Sequence, residues 1–193
     1  MRYELSTAAT GTPIKREDVV NFIRIVNEDD YALVTALIDR ATRYVERRIQ
    51  RQLLTATWKL YLDAFPAEIL LEKLPVASVT SITYTDLDGD TETLAATEYQ
   101  TDYAAPDRPG RIKPAYGKTW PNTRSSTYKA VTVTFTAGYG TEADVPETIK
   151  QALLLLVQHW YDNRAMIETG TIVTSVPTSV DSLLAIEDWG SYA

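Results

Sequence analysis

Between Asp144 and Arg164 the chain reads DVPETIKQALLLLVQHWYDNR, a helix with little room left for water. Asp144 offers a carboxylate N-cap, Pro146 falls in the first turn where a missing N–H costs nothing, and Glu147 stands three residues after the cap. Projected on a helical wheel, Glu147, Gln151, Gln158 and Asp162 share one narrow polar stripe. Ile149, Leu153, Leu154, Leu156, Val157, Trp160 and Tyr161 cover most of the remaining circumference. A helix of this kind must be covered on more than one side. One side can be the chain's own core, and the expected cover for the other is an inserted layer or a neighbouring copy. The chain therefore reads as a structural part that assembles rather than as an enzyme.

Composition narrows the function by exclusion. At 193 residues the chain can bury roughly 70% of its unfolded surface in one domain, or in one domain with a sizeable insertion. Without cysteine it has no disulfide, no thiolate metal site and no cysteine nucleophile. The single histidine, His159, lies on the apolar helix, so a Ser-His-Asp system or a zinc site would have to be built around it or almost wholly from carboxylates. No catalytic residue, metal or cofactor is expected. The N-terminal MRYELSTAATGTP lacks a basic-then-apolar signal pattern, and the longest unbroken apolar run, Ala152 to Val157, is far short of a membrane span. The expectation is a soluble protein made in a cytosol. A net charge of -7 repels nucleic acid at long range and argues against a general DNA-binding domain. Against that background Arg40, Arg43, Arg47 and Arg51, spaced by three and four, should share one helical strip. Such a strip is either a solvated flank pairing with carboxylates or a contact for a neighbouring subunit or for passing phosphates.

Three blocks follow one another. From about Ile14 to Gln52 the period is helical: a short piece with Val19, Val20 and Ile23, a turn at Asn27 to Asp30, then a long helix for which Asp29 is a reasonable N-cap. Its apolar face runs Val34, Leu37, Ile38, Ala41, Val45, Ile49, with Leu33 and Tyr44 at the margin beside the arginines. From Thr55 to Gly140 the period changes to two. Trp58, Leu60 and Leu62 alternate with polar or amphipathic residues, Val79, Ile82 and Tyr84 sit in a Thr-rich run, and Val131, Val133 and Phe135 alternate with threonines. Asp88-Gly89 marks a hairpin turn, and the prolines and glycines from Pro106 to Pro121 mark a long irregular connection. The fold class expected is α+β: a small frame of two N-terminal helices and the long buried C-terminal helix (13–53 and 144–164), with an inserted antiparallel β module (55–140). A C-terminal docking tail (165–193) completes it, extended at first and then helical from Ser179 through Ile186. That segment is too short to be stable alone and needs a partner surface.

Other constellations favour plain structural readings. Asp86, Asp88, Asp90 and Glu92 lack the sixth-position glycine and the twelfth-position glutamate of a calcium loop, so they read as a turn. Gly138-Tyr139-Gly140-Thr141 has no lysine and precedes an acidic stretch, so it reads as a strand-to-helix turn rather than a phosphate cradle. His159 reads as a packed or rim histidine. Trp160 and Tyr161 read as core residues, with a subunit interface as the alternative use for such amphipathic aromatics.

In order along the chain, PIKREDVVNFIRI, DDYALVTALIDRATRYVERRIQRQLLTATWKLYLDAFP, IKPAYGKTWP, VTVTFTAGYG and VPETIKQALLLLVQHWYDNR resemble the phage head-tail connector (adaptor) family in its longer form with a β insertion. The resemblance spans about residues 13 to 186. It implies a non-catalytic virion protein, present in the host cytoplasm during assembly, that forms a ring, expected to be dodecameric. That ring would sit beneath the portal of a tailed phage, accept a stopper or tail component below, and let DNA pass without sequence-specific binding. Carried onto this chain, the subunit or channel contacts are Arg40, Arg43, Arg47, Arg51, Trp160 and Tyr161, and the portal-docking residues are Leu183, Leu184, Ile186 and Trp189. Lys15 stands where the family tends to have a hydroxyl cap, Gln50 where it tends to have a terminating glycine, and AIEDWGSYA replaces a basic finish. An acidic ring fits a channel that DNA must slide through rather than stick to. The alternative is a DNA-binding accessory of genome packaging, in which the arginine strip grips phosphates.

Overall fold

The computed structural model describes residues 2–103, 108–163 and 176–187. The chain forms two compact units: residues 11–54 with 140–193 make a helical unit, and residues 1–10 with 55–139 make a β unit. The class is α+β, as the change of period from helical to alternating implies.

In the helical unit, α1 (Arg16–Ile23), α2 (Tyr31–Ile49), α3 (Glu147–Asp162) and α4 (Thr178–Glu187) pack together, with α3 touching each of the other three. The residues buried on α2 are Val34, Leu37, Ile38, Ala41, Val45 and Ile49, the face its periodicity outlines. Two helices end on non-glycine residues in left-handed conformation, Arg24 (φ 59) and Gln50 (φ 54). Gln50 thus does the work of the terminating glycine, and its side-chain amide donates to the Arg47 carbonyl at 2.7 Å, satisfying one of the carbonyls left open at the helix end.

Three helix-end expectations need correction. The long C-terminal helix starts at Glu147, not just after Asp144. Asp144 instead closes a single 3-10 turn, Glu142–Asp144, by accepting from the Thr141 N–H at 2.8 Å and the Thr141 hydroxyl at 2.7 Å. Those two bonds hold its carboxyl below the usual range. Gly140 before it has φ +137 and lies where a Cβ would come within 2.5 Å of the Asp144 carboxylate, so the turn needs a glycine there. At α2 the cap is Asp30 rather than Asp29, because Asn27 takes the Asp29 N–H at 3.1 Å and forms a 3-10 turn over Glu28–Asp30 first. The strip of four arginines is also broken: the left-handed Gln50 ends the helix, and Arg51 turns inward to only 7% exposure.

The β unit holds a five-stranded antiparallel sheet in the order β1-β2-β8-β4-β5 and a three-stranded sheet in the order β3-β7-β6. The strands are β1 (Arg2–Thr7), β2 (Ala56–Leu62), β3 (Ile69–Leu71), β4 (Val76–Thr85), β5 (Thr91–Thr93), β6 (Tyr99–Asp102), β7 (Gly110–Pro114) and β8 (Val131–Ala137). Central β8 pairs Phe135 with Trp58, Val133 with Leu60 and Val131 with Leu62, so one face of each strand feeds a core completed by Ile69, Leu71, Ile82 and Ile112. The Asp88-Gly89 turn is formed, with one Asp86 carboxylate oxygen accepting from the N–H groups of Asp88, Gly89 and Asp90 at 2.9 to 3.0 Å. Strands β1, β3, β6 and β7 lie outside the sequence expectation. β1 comes from the N-terminal residues before the helical block. β7 lies inside the proline- and glycine-marked connection.

Candidate functional site

Opposite its buried face, α2 presents Arg40, Arg43 and Arg47 to solvent. They border an open groove of about 940 Å³ in the helical unit, lined also by Ala36, Asp39, Tyr44, Arg48, Trp160 of α3 and Val176. Its floor is aromatic. The Arg40 guanidinium carbon lies 4.9 Å from the centroid of the Trp160 ring, a cation–π contact, and Tyr44 meets the same ring edge-on at 6.1 Å and 84°. Arg48 reaches toward Asp181 of α4 at 3.8 Å. The guanidinium groups of Arg43 and Arg47 make no hydrogen bond or ion pair among the described residues. A groove with guanidinium groups along one wall and aromatic rings beneath suits a ligand that brings carboxylate or phosphate oxygens on an apolar stem.

Of the expected contact residues, Arg40, Arg43, Arg47 and Trp160 come together here, and Arg51 does not. Arg48 takes its place, which strip spacing alone does not reveal. Tyr161 faces another way: its hydroxyl donates to the Asp30 carboxylate, tying the end of α3 to the start of α2. His159 sits at the same end, with the Asn163 amide donating to its carbonyl at 2.7 Å and lying 3.4 Å from its Nδ1. Among the described residues no group of His, Asp and Glu could hold a metal ion, and no helix is long and apolar enough to cross a membrane.

Most of the apolar circumference of α3 needs neither the inserted layer nor the neighbouring copy expected for it, and of the residues named only Leu154 and Tyr161 are left partly covered. Ile149, Ala152, Leu153, Leu156, Val157 and Trp160 are all buried within one chain, because α1, α2 and α4 surround the helix. Of the expected polar stripe, Glu147, Gln151 and Asp162 are exposed and Gln158 is partly covered, with the partly covered Leu154 and Leu155 at its margins. Of the docking residues, Leu184 is fully buried in the frame, Leu183 is half-buried, Ile186 is 62% exposed, and Trp189 lies outside the described residues.

The described residues thus form an α+β chain with an arginine-bordered, aromatic-lined groove on its helical unit. Over residues 13–179 the sequence matches the head completion proteins, and the chain belongs to that family. Its fold is similar to a chain in the neck of an empty gene transfer agent particle computed with C6 symmetry, at a TM-score of 0.77 and 24% identity over 97% of this chain and 95% of that one. A chain of the virion of the native particle matches at 0.74 and 24%, covering 96% and 94%. A chain of the native neck computed with C12 symmetry matches at 0.70 and 25%, covering 97% and 94%. No curated protein matches by sequence.

Proposed function

We propose that the chain is a structural, non-catalytic component of a virion neck that assembles into a closed ring, twelve copies in the favoured arrangement. The ring docks beneath a portal on one side, offers a platform for a stopper or tail component on the other, and leaves a channel for DNA. The observation that carries this reading is the match over nearly the full length of both chains to neck subunits, in particles computed with sixfold and twelvefold symmetry. The surface agrees with it physically. An acidic subunit, net -7, lowers the residence of DNA on a channel wall. Leu183 and Ile186 on the outer side of α4, with Trp189 beyond it, are the residues assigned to the portal. Electron microscopy and sedimentation of the purified chain, alone and with a portal protein, test the reading. A ring in either condition is expected. A chain that stays monomeric at high concentration and ignores the portal overturns it.

The exposed Arg40, Arg43 and Arg47 favour one second reading, a DNA-binding accessory of packaging. It requires salt-sensitive DNA affinity that falls in Arg43→Glu/Arg47→Glu, and absent binding dismisses it.

A further inference from the structure

The helical unit carries a second surface whose chemistry is the complement of the groove. Where α1 ends at the left-handed Arg24, the chain turns outward before α2 begins. At that corner Val26 is 94% exposed and Phe22 is 40% exposed. The carboxylates of Glu28 and Asp29 follow directly, exposed and without an ion pair among the described residues. They are not on a loose loop, since the Asn27 cap and the Asp30 N–H to Asn27 carbonyl bond (3.2 Å) fix the turn that bears them. A nearly bare valine at the tip of a fixed acidic turn makes little contribution to the core of its own unit.

We infer that this corner of one copy seats in the arginine groove of the next, Val26 against the half-buried Tyr44 ring and Glu28 and Asp29 against Arg43 and Arg47. Charge and polarity match: an apolar tip flanked by carboxylates meets an aromatic side chain flanked by guanidinium groups. The two surfaces cannot satisfy each other within one chain, because α2 rises about 1.5 Å per residue and holds the acidic turn roughly 20 Å from Arg43. They are also different patches, so the contact is heterologous: each copy gives its corner to one neighbour and its groove to the other, and the repeat closes into a ring when the rotation per step allows. This inference rests on the ring reading proposed above and supplies its subunit contact.

Charge reversal on the full-length chain tests it. Arg43→Glu/Arg47→Glu and, separately, Glu28→Arg/Asp29→Arg should each raise the concentration needed for half-assembly by about 100-fold, since like charges then face each other. An equimolar mixture of the two should assemble again as an alternating ring, because every corner then meets a groove of opposite sign. Circular dichroism of each variant confirms that it is folded. The absence of cysteine allows a second measurement: chains carrying only Val26→Cys mixed with chains carrying only Tyr44→Cys should join through a short bismaleimide, and neither alone should form homodimers. If the unaltered chain forms rings while the reversals leave assembly unchanged, or the mixture fails to restore it and the cross-link is absent, the inference falls and the ring reading stands. If the unaltered chain never assembles, alone or with portal protein, both fall.

Discussion

Both units pair charges locally, as Lys15 with Glu142 at 3.7 Å and Lys150 with Glu147 at 2.8 Å in the helical unit, but the helical unit also keeps opposite charges unpaired along one helix. In the β unit, three exposed cations have local partners: Arg111 meets Asp102 at 2.6 Å, Lys118 meets Glu98 at 3.0 Å, and the Lys129 ammonium lies over the Tyr61 ring at 4.5 Å. In the helical unit, Arg43 and Arg47 stand along one part of α2 and Glu28 and Asp29 at its start, each without an ion pair among the described residues. Local pairing leaves a surface quiet toward other molecules. Opposite charges held apart on one rigid rod keep their attraction for something outside the chain. The subunit contact proposed above assigns recognition to the helical unit.

That assignment requires the helical frame, including α4, to be a single packed body. Val180 and Leu184 of α4 are fully buried, and Thr148 of α3 donates to Glu187 at 2.8 Å. The largest expected effect is therefore Leu184→Ala, a loss of about 2–5 kcal/mol from the deleted side chain and the cavity it leaves. Urea unfolding measures the loss, and amide exchange should show α4 losing protection first. A change below about 0.5 kcal/mol would make α4 an appendage, in the range of an ordinary surface substitution.

The sequence was most informative where one helix face meets one core. The six apolar positions of α2 and the alternation of β2, β4 and β8 are legible because burial repeats at the period of the element. Legibility fails where two local signals compete. Asp144 is a good cap residue in two frames, and the glycine-permitted turn at Gly140 draws it to Thr141 rather than to α3. It fails also where the pattern is short or one-sided. β1 is an edge strand with five of six residues exposed, and β7 is only five residues, ending in proline. The groove needed tertiary knowledge, since nothing local links Arg40 to Trp160 across 120 positions of sequence. The apolar girth of α3 is legible in the sequence, but what covers it is not: three other helices of the same chain bury most of it.

A middle-sized effect tests how the β unit holds its edge. The Tyr3 hydroxyl donates to the Leu70 carbonyl at 3.2 Å and accepts from the Glu72 N–H at 2.9 Å, tying β1 to the β3 segment. Tyr3→Phe should cost about 1 kcal/mol, the net worth of an ordinary hydrogen bond with some penalty for the groups left open. Burial pushes the Tyr3 phenol above its usual value, outweighing the Glu72 N–H bond that lowers it. Folding thus favours the protonated ring, whose contribution is complete below about pH 10 and is lost as pH rises through the higher folded value. The variant should show a shallower loss of stability with alkaline pH. An unaltered slope and stability would mean that the strand ladder alone secures the edge.

The smallest effect bears most directly on the contrast between the units. Lys118 and Glu98 are about half and a third exposed, so solvent screens their attraction, and exposed pairs of this kind contribute about 0.2–1 kcal/mol. Lys118→Ala should shift the urea midpoint within that range. It should also leave the assembly concentration where it was, because a charge already answered by its neighbour offers little to a second copy. The groove reversals should do the converse, moving assembly strongly and stability by only the ~0.3–1 kcal/mol that a charge change in the last turn of α2 costs, since the Arg43 and Arg47 guanidinium groups have no ion pair among the described residues to lose. If Lys118→Ala weakens assembly as much as Arg43→Glu/Arg47→Glu does, the β unit shares the subunit contact, and local neutralisation no longer separates the two surfaces.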